Sequence, residues 1–443
     1  MSTALAPASA TSEAARAAAG ILQDNWGGAY TVPATGLYPH QWSWDSAFIA
    51  VGLRHLSARR AQVELDSLLS GQWSDGRLPQ IVYDTRRDDD YAPSATFWRS
   101  ADLPGSPAVP TTGLVQPPVH AWAAWLVHSQ DPDESARRRF LERAYPRLVA
   151  WHRYLEDRRA SDDGLVAVVH PWESGTDNSP LWDEVLAGVP DEPRAAMHRP
   201  DLKHASEGER PSGKEYGKYF WLAERYRDHA CDDADPGHPF VVDDPTTNAL
   251  WARSELALGD IAEVLGLDGA PHRSRAARIA EALEGLWDPD LEIYVALDRR
   301  SGDQVRKATV GGLLPLLAPG ILPPGRSDAL LRTALGPRFL DVASTSRPLM
   351  APSYDATAPD MDPELYWRGP AWFNMMWLLL EGLRAHGLDD LADRYVEPMA
   401  RVASREGFPE YVDPWTGAGH GTRAFSWTAA LVLDLVAGRE GRP

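Results

Sequence analysis

Apolar residues recur at helical spacing over most of the chain, and strict apolar/polar alternation is rare. Asp131-Pro132-Asp133-Glu134 reads as an N-cap followed by proline at the first helical position and an acidic first turn. Phe140, Ala144, Leu148, Trp151 and Leu155 then mark one inward face. Asp244-Pro245 opens another run, with Leu250, Leu258, Ile261 and Leu265 inward and Gly266 as its stop. The same spacing predicts helices over 43–56, 58–69, 119–128, 273–286, 327–335, 371–386 and 426–436. Only 164–169 and 291–297 suggest strands, as hairpin arms. The expected fold class is all-α, with helix-plus-connection units of roughly 30 to 40 residues recurring without a strict repeat.

Two regions break this rhythm. Residues 72–118 and 170–218 are rich in Pro, Gly, Asp and aromatics, and neither has a low-complexity linker composition. Loops of that length inside a compact chain are usually functional. The expected organisation is a flexible N-terminal segment over 1–20, then a single domain over 21–443. Loop insertions near 72–118 and 170–218 would cover one face of it.

Composition narrows the partners. Charged residues make up 24% and hydrophobic ones 44%, as in ordinary globular proteins. The formal net charge of -19 repels polyanions, so no nucleic-acid partner and no membrane partner is expected. No apolar run is long enough for a transmembrane helix, and the first residues lack the basic and apolar regions of a secretory signal. The single cysteine, Cys231, excludes an internal disulfide. A cytoplasmic protein is expected, with homo-oligomerisation left open. The 18 Trp outnumber the 14 Tyr and double the 9 Phe. Such an excess suits either long helical interfaces or a site where flat apolar rings meet hydroxyl-bearing ligands, above all sugars.

Four aromatic clusters carry the candidate chemistry: 38–45 (YPHQWSWD), 172–180 (WESGTDNSP), 366–372 (YWRGPAW) and 409–417 (PEYVDPWTG). Each joins Trp or Tyr to a carboxylate or Arg, beside a Gly or Pro. Segments that lead into helices at regular intervals would gather on one face and assemble a single pocket. Hydrolysis of a sugar bond needs two carboxyl groups, one protonated as acid and one ionised as base or nucleophile. Asp177 and Glu410 are the best placed for these roles, with Glu173, Asp45 and Asp413 as competitors. An apolar wall from Trp172 and Trp182 would hold the acid protonated. Other chemistries fit poorly, since no His-Glu-x-x-His, Gly-x-Ser-x-Gly or P-loop occurs. The 13 His are scattered, and 417–422 follows no predicted strand. No metal ligand set and no cofactor is expected.

Taken together, these clusters resemble glycoside hydrolase family 63, in particular its bacterial glucosylglycerate and mannosylglycerate hydrolases. Gln116-Pro117-Pro118-Val119-His120 and Arg210-Pro211-Ser212 with Glu215-Tyr216 extend the likeness from about Tyr38 to Trp427. The resemblance implies an (α/α)6 barrel with long loops over one face. It also implies hydrolysis of a small α-glucoside with inversion, in the first instance of glucosylglycerate to glucose and glycerate. It makes Asp177 the general acid and Glu410 the general base, with the carboxyls roughly 6.5–9.5 Å apart. Its sugar subsite maps onto Tyr38, Trp42, Trp44, Asp45, Gln116, Tyr366, Trp367, Gly369 and Trp372. Arg210, Tyr216 and Tyr91 match the positions that hold the glycerate end. One departure is visible: where the glycerate-binding members carry a Gln pair before Ser-Trp, this chain has Ala424-Phe425. The alternatives are a mannosylglycerate hydrolase, an α-glucosidase with a neutral aglycone, or a non-catalytic sugar-binding protein. The last needs neither carboxylate, and both are present.

Overall fold

The structure is a computed structural model that describes residues 10–191, 199–203 and 206–440. Its first eight α helices are α1 (Ala10–Asp24), α2 (Ser43–Leu53), α3 (Ala58–Ser70), α4 (Ala95–Trp98), α5 (His120–Gln130), α6 (Pro132–Arg137), α7 (Phe140–Tyr154) and α8 (Pro171–Ser174). Eight more follow: α9 (Asp183–Ala187), α10 (Gly213–Asp228), α11 (Pro245–Val264), α12 (Ala270–Leu283), α13 (Arg326–Leu335), α14 (Phe373–Ala385), α15 (Asp389–Arg405) and α16 (Ser426–Glu440). Capping explains several of the boundaries. The Asp131 carboxylate accepts from the Glu134 N–H, and that of Asp244 accepts from the N–H groups of Thr246 and Thr247. Between α6 and α7, Arg139 adopts a left-handed φ of 53°, which breaks what the spacing suggested was one run.

The longest helices fall into two classes by composition. Every residue of α2 is buried, and α14 is apolar nearly all round, as befits helices with neighbours on every side. By contrast, α15 buries only one face, through Ala392, Tyr395, Val396, Met399, Ala400, Val402 and Ala403. The packing follows this division. Helix α16 packs on α2, α2 on α5, and α5 on α11. Then α11 packs on the 3-10 stretch Val310–Leu317, that stretch on α14, and α14 on α16 again. Outside this circuit, α1 rests on α15 and α16, α3 on α2 and α5, α7 on α5 and α11, α12 on α11, and α13 on the 3-10 stretch. Helix α15 lies against α14 and α16.

The all-α expectation holds as a mostly helical fold that also carries four small antiparallel sheets. Strand β1 (Gln41–Trp42) pairs with β2 (Ile81–Val82), setting Trp42 opposite Ile81. Next in the chain come β3 (Ala167–Val168), β4 (Val242–Asp243), the β5 (Trp287–Asp288) and β6 (Ile293–Tyr294) pair, β7 (Ala296–Asp298) and β8 (Asp303–Val305). The four-stranded sheet has the order β3-β4-β7-β8, with β3 from 164–169; residues 291–297 supply β6, an arm of the β5–β6 hairpin, and the start of β7, an arm of the β7–β8 hairpin. Strand β4 lies between β3 and β7. The last sheet joins β9 (Ala371–Trp372), β10 (Tyr411–Val412) and β11 (Gly419–His420), with Tyr411 opposite both Trp372 and His420.

The expectation of a flexible segment over 1–20 is corrected for residues 10–20. They belong to α1, whose Ala14 and Ala18 are buried in the main core. Residues 1–9 lie outside the described residues. The segment 72–118 contains β2 and α4. The described parts of 170–218 contain α8, α9 and the start of α10. The two long segments share a second apolar cluster with α10, including Trp98, Leu114, Val168, Trp182, Tyr219 and Phe240. They therefore form a packed layer of their own. No helix among the described residues is long and apolar enough to cross a membrane.

Candidate active site

The connections leading into α2, α5, α14 and α16, together with the 172–177 loop, meet around one cavity. Of the residues singled out from sequence, Tyr38, Trp42, Trp44, Asp45, Tyr91, Gln116, Asp177, Tyr216, Tyr366, Trp367, Trp372 and Glu410 line it. Gly369 and Arg210 do not. Gly369 supports the wall instead, since a Cβ there would sit 2.2 Å from the Asp362 carbonyl oxygen, and its N–H donates to Ser353 Oγ at 3.1 Å. Gln80, Trp172, Phe425 and Trp427 also line the cavity. Trp427 stands in the Ser-Trp pair that ends the sequence likeness. Gln80 lies within the 72–118 segment and carried no other signal.

The Asp177 loop is built by local chemistry. Pro171 starts the short α8, and the His170 ring accepts from the Trp172 N–H. Gly175 ends it with a left-handed φ of 73°, and the Trp44 ring lies so close that a Cβ would meet Cζ2 at 2.3 Å. Asn178 Oδ1 accepts from the Trp367 N–H at 2.9 Å, and the Tyr219 hydroxyl donates to the Asp177 carbonyl. Arg368 then clamps Asp183 through two bonds of 2.8 Å. These contacts tie the 172–183 stretch to the 366–372 cluster. Burial pushes the Asp177 carboxyl up to about 7; the Glu410 charge adds to the rise and Arg210 opposes it. Trp172 contributes to the wall as expected. Trp182 does not; it is fully buried in the loop layer and donates to the Thr176 carbonyl.

Glu410 sits immediately before β10 and is saturated with donors. Oε1 accepts from the Tyr38 hydroxyl at 2.8 Å and Arg210 Nη1 at 3.2 Å. Oε2 accepts from Arg210 Nη2 at 2.5 Å and the Thr422 N–H at 3.2 Å. The Arg210 guanidinium is itself boxed by rings, with its carbon 4.6 Å from the Tyr366 ring centre and 5.8 Å from that of Tyr411. Its Nε–H is buried and has no partner among the described residues. Tyr411 anchors the stretch before Arg210 by donating to the Glu209 carbonyl at 2.7 Å.

The competing carboxylates separate cleanly. Glu173 is fully buried, where Arg159 grips it through bonds of 2.7 and 2.8 Å, and it also accepts from the Val115 and Val169 N–H groups. It braces the loop and faces no cavity. Asp413 accepts from the Trp415 and Thr416 N–H groups and shapes the turn after β10. Asp45 does line the cavity. Burial holds its carboxyl well above the usual range; its own backbone N–H opposes the rise, and the charges of Glu410 and Glu64 add to it.

The aromatic wall is a layered stack. Trp367 and Trp372 are parallel at 3.8 Å, Trp372 stacks on Tyr411 at 4.7 Å, and Tyr411 stacks on His420 at 5.9 Å. Tyr366 has a positive φ of 45°, a strained conformation for a bulky residue, and its carbonyl accepts from Trp372 Nε1. On the far side, Tyr38 makes edge contacts with Trp42 and Phe425, and Trp42 with Tyr91. Arg199 caps the Tyr216 ring at 3.7 Å. The carboxyl side chains in the lining of the described cavity are Asp45, Asp177 and Glu410, and that lining carries no Lys, Arg or His. Among the described residues no group of three or more His, Cys, Asp or Glu is disposed as a metal-ligand set.

Residues 38–428 match the family model described as the mannosylglycerate hydrolase MGH1-like glycoside hydrolase domain. A mannosylglycerate hydrolase from Rubrobacter radiotolerans is 39% identical over 427 residues, covering 94% of this chain and 95% of its own. A glucosylglycerate hydrolase from Mycolicibacterium hassiacum is 35% identical over 442 residues, 97% of this chain and 98% of its own. The crystal structure of a family 63 mannosylglycerate hydrolase from Thermus thermophilus, in complex with Tris, superposes with a TM-score of 0.86 at 39% identity. The match covers 94% of this chain and 98% of that one.

Proposed function

Since the chain belongs to the MGH1-like glycoside hydrolases of family 63, we propose that it cleaves the α-glycosidic bond of a small glycosylglycerate with inversion. The observation that carries this reading is the pairing, in one aromatic-walled cavity, of a carboxyl raised to about 7 with a second one held by four donors. In the proposed reaction the Glu410 carboxylate takes a proton from water as the water oxygen bonds to the anomeric carbon. The bond from that carbon to the glycerate oxygen breaks, and the leaving oxygen takes the proton of Asp177. Trp42, Trp44, Asp45, Gln116, Tyr366, Trp367 and Trp372 are read as the sugar subsite, by ring faces and polar groups. Arg210, Tyr216 and Tyr91 are read as the glycerate end, where an Arg fork suits a carboxylate. The closed circuit of six packed elements, each with a partner outside it, is read as an (α/α)6 barrel whose loops build the site at one end.

A second reading, a neutral aglycone, is favoured by Phe425, which offers no donor to a carboxylate and lies against Tyr38. One experiment separates the readings. The purified protein is given glucosylglycerate, mannosylglycerate and glucosylglycerol, and the sugar product is followed by proton NMR. The expected result is cleavage of a glycosylglycerate with the β anomer appearing first. An α anomer appearing first would refute the assigned roles, and preference for glucosylglycerol would refute the glycerate.

A further inference from the structure

In the arrangement seen, Glu410 offers no vacant lone pair to a water. An ionised carboxylate has about four lone-pair sites, two on each oxygen. Here all four are taken: Tyr38 and Arg210 on one oxygen, Arg210 and Thr422 on the other. A water molecule that is to surrender its proton needs one of them. The Thr422 donor is backbone, and the Tyr38 hydroxyl lies in the cavity wall where it can turn to a ligand. The strongest hold is the charged fork of Arg210, and that guanidinium has a buried Nε–H without a partner among the described residues. A buried donor without an acceptor carries a desolvation cost that a carboxylate would remove. The guanidinium touches Tyr38, itself part of the cavity lining, at 3.2 Å.

We propose that Arg210 is a brake on Glu410 that the carboxylate of the substrate releases. Resting on the glycosylglycerate reading above, the inference is that an anionic aglycone takes Nε and one Nη of the guanidinium. It thereby loosens the end-on pair with Glu410 and frees a lone pair for the attacking water. Arg210 is then a specificity device acting on turnover as well as on affinity. Neutral glycosides that fill the sugar subsite leave the base occupied.

The test separates the sugar from the acid. An α-glycosyl fluoride carries the sugar alone; in its hydrolysis the water oxygen bonds to the anomeric carbon, fluoride leaves with the C–F electron pair, and the water proton passes to Glu410. With the wild-type enzyme, added D-glycerate is expected to raise the initial rate of fluoride hydrolysis on the order of ten- to a hundredfold, the worth of one charge-assisted hydrogen bond to the base. Arg210→Gln is expected to hydrolyse the fluoride faster than wild type without glycerate and to be insensitive to it, while losing turnover of the glycosylglycerate. Should that variant fail to fold, the wild-type titration stands as the deciding measurement. Glycerate that only inhibits wild-type fluoride hydrolysis would overturn the proposal. Activation by glycerate in an enzyme that cleaves no glycosylglycerate would overturn the substrate reading and leave the brake intact.

Discussion

The pH dependence of cleavage tests the role of Asp177 quantitatively. Its carboxyl stands at about 7 against an ordinary value of 3.8. Burial is the main cause, with the Glu410 charge adding and the Arg210 charge opposing. At about 1.36 kcal/mol per pH unit, that difference is a preference of about 4 kcal/mol for the neutral form. A carboxyl at 3.8 would be protonated in roughly one molecule in ten thousand at pH 8, whereas one at about 7 is protonated in roughly one in ten. The expected profile of kcat/KM against pH therefore has an alkaline limb with its midpoint near 7, because activity requires the protonated form and is lost as pH rises through that value. Asp177→Asn removes the proton and should lower kcat on a glycosylglycerate by about 10²–10⁴. It should lower the rate on an α-glycosyl fluoride far less, since fluoride leaves unprotonated. The alkaline limb should vanish in the variant and with the fluoride. An alkaline limb that persists in Asp177→Asn, or equal losses on both substrates, would show that the proton comes from elsewhere.

Two further predictions concern the frame of the site. Gly175→Ala forces a left-handed Ala and drives its Cβ into the Trp44 ring, so a destabilisation of about 2–4 kcal/mol by urea unfolding is expected, together with a raised KM; unchanged values in both would refute the packing described. Glu255 is buried, which raises its pKa, but attraction to His152 and hydrogen bonds from His152 and His272 outweigh burial and bring it down to about 2. The stability this lends is fully present above the ordinary value of 4.5 and is lost as pH falls through about 2. Glu255→Gln should flatten that acid dependence, and an unaltered one would place it in other groups.

Much of this was legible in sequence where one residue type does one local job. The Asp131 and Asp244 caps began helices as read, because a side-chain oxygen two or three residues from an N–H needs no tertiary help. Helix α1 escaped because its buried face is largely Ala, whereas α15, whose inward face carries Tyr395, Val396, Met399 and Val402, did carry a readable apolar stripe. Helix α10 escaped for another reason: its aromatics blended into the 170–218 stretch, although the Ser212–Glu215 capping box was readable. The hairpin-arm reading holds for 291–297, which supplies arms of the β5–β6 and β7–β8 pairs, while nothing local announced β4, which comes from a distant segment and lies between β3 and β7. Aromatic clusters were legible as a set, and twelve of the fourteen residues named for the site do line one cavity.

The roles within that set were not legible, because they depend on partners far away in the chain. Glu173 and Asp177 are four residues apart in one motif, and Glu173 competed with Asp177 for the role of the acid. What separates them is Arg159, which grips Glu173 across the floor of the loop and makes it a brace, while Asp177 faces the cavity with no such counter-ion bonded to it among the described residues. Arg210 and Glu410 lie 200 positions apart, so nothing local joins them. Sequence likeness set Arg210 toward the aglycone; the structure puts its fork on Glu410 instead. The two placements are compatible only if the guanidinium is shared in time between two carboxylates, one belonging to the enzyme and one to the substrate. An unpaired Nε–H on a buried guanidinium already gripping one carboxylate is the feature that such sharing requires.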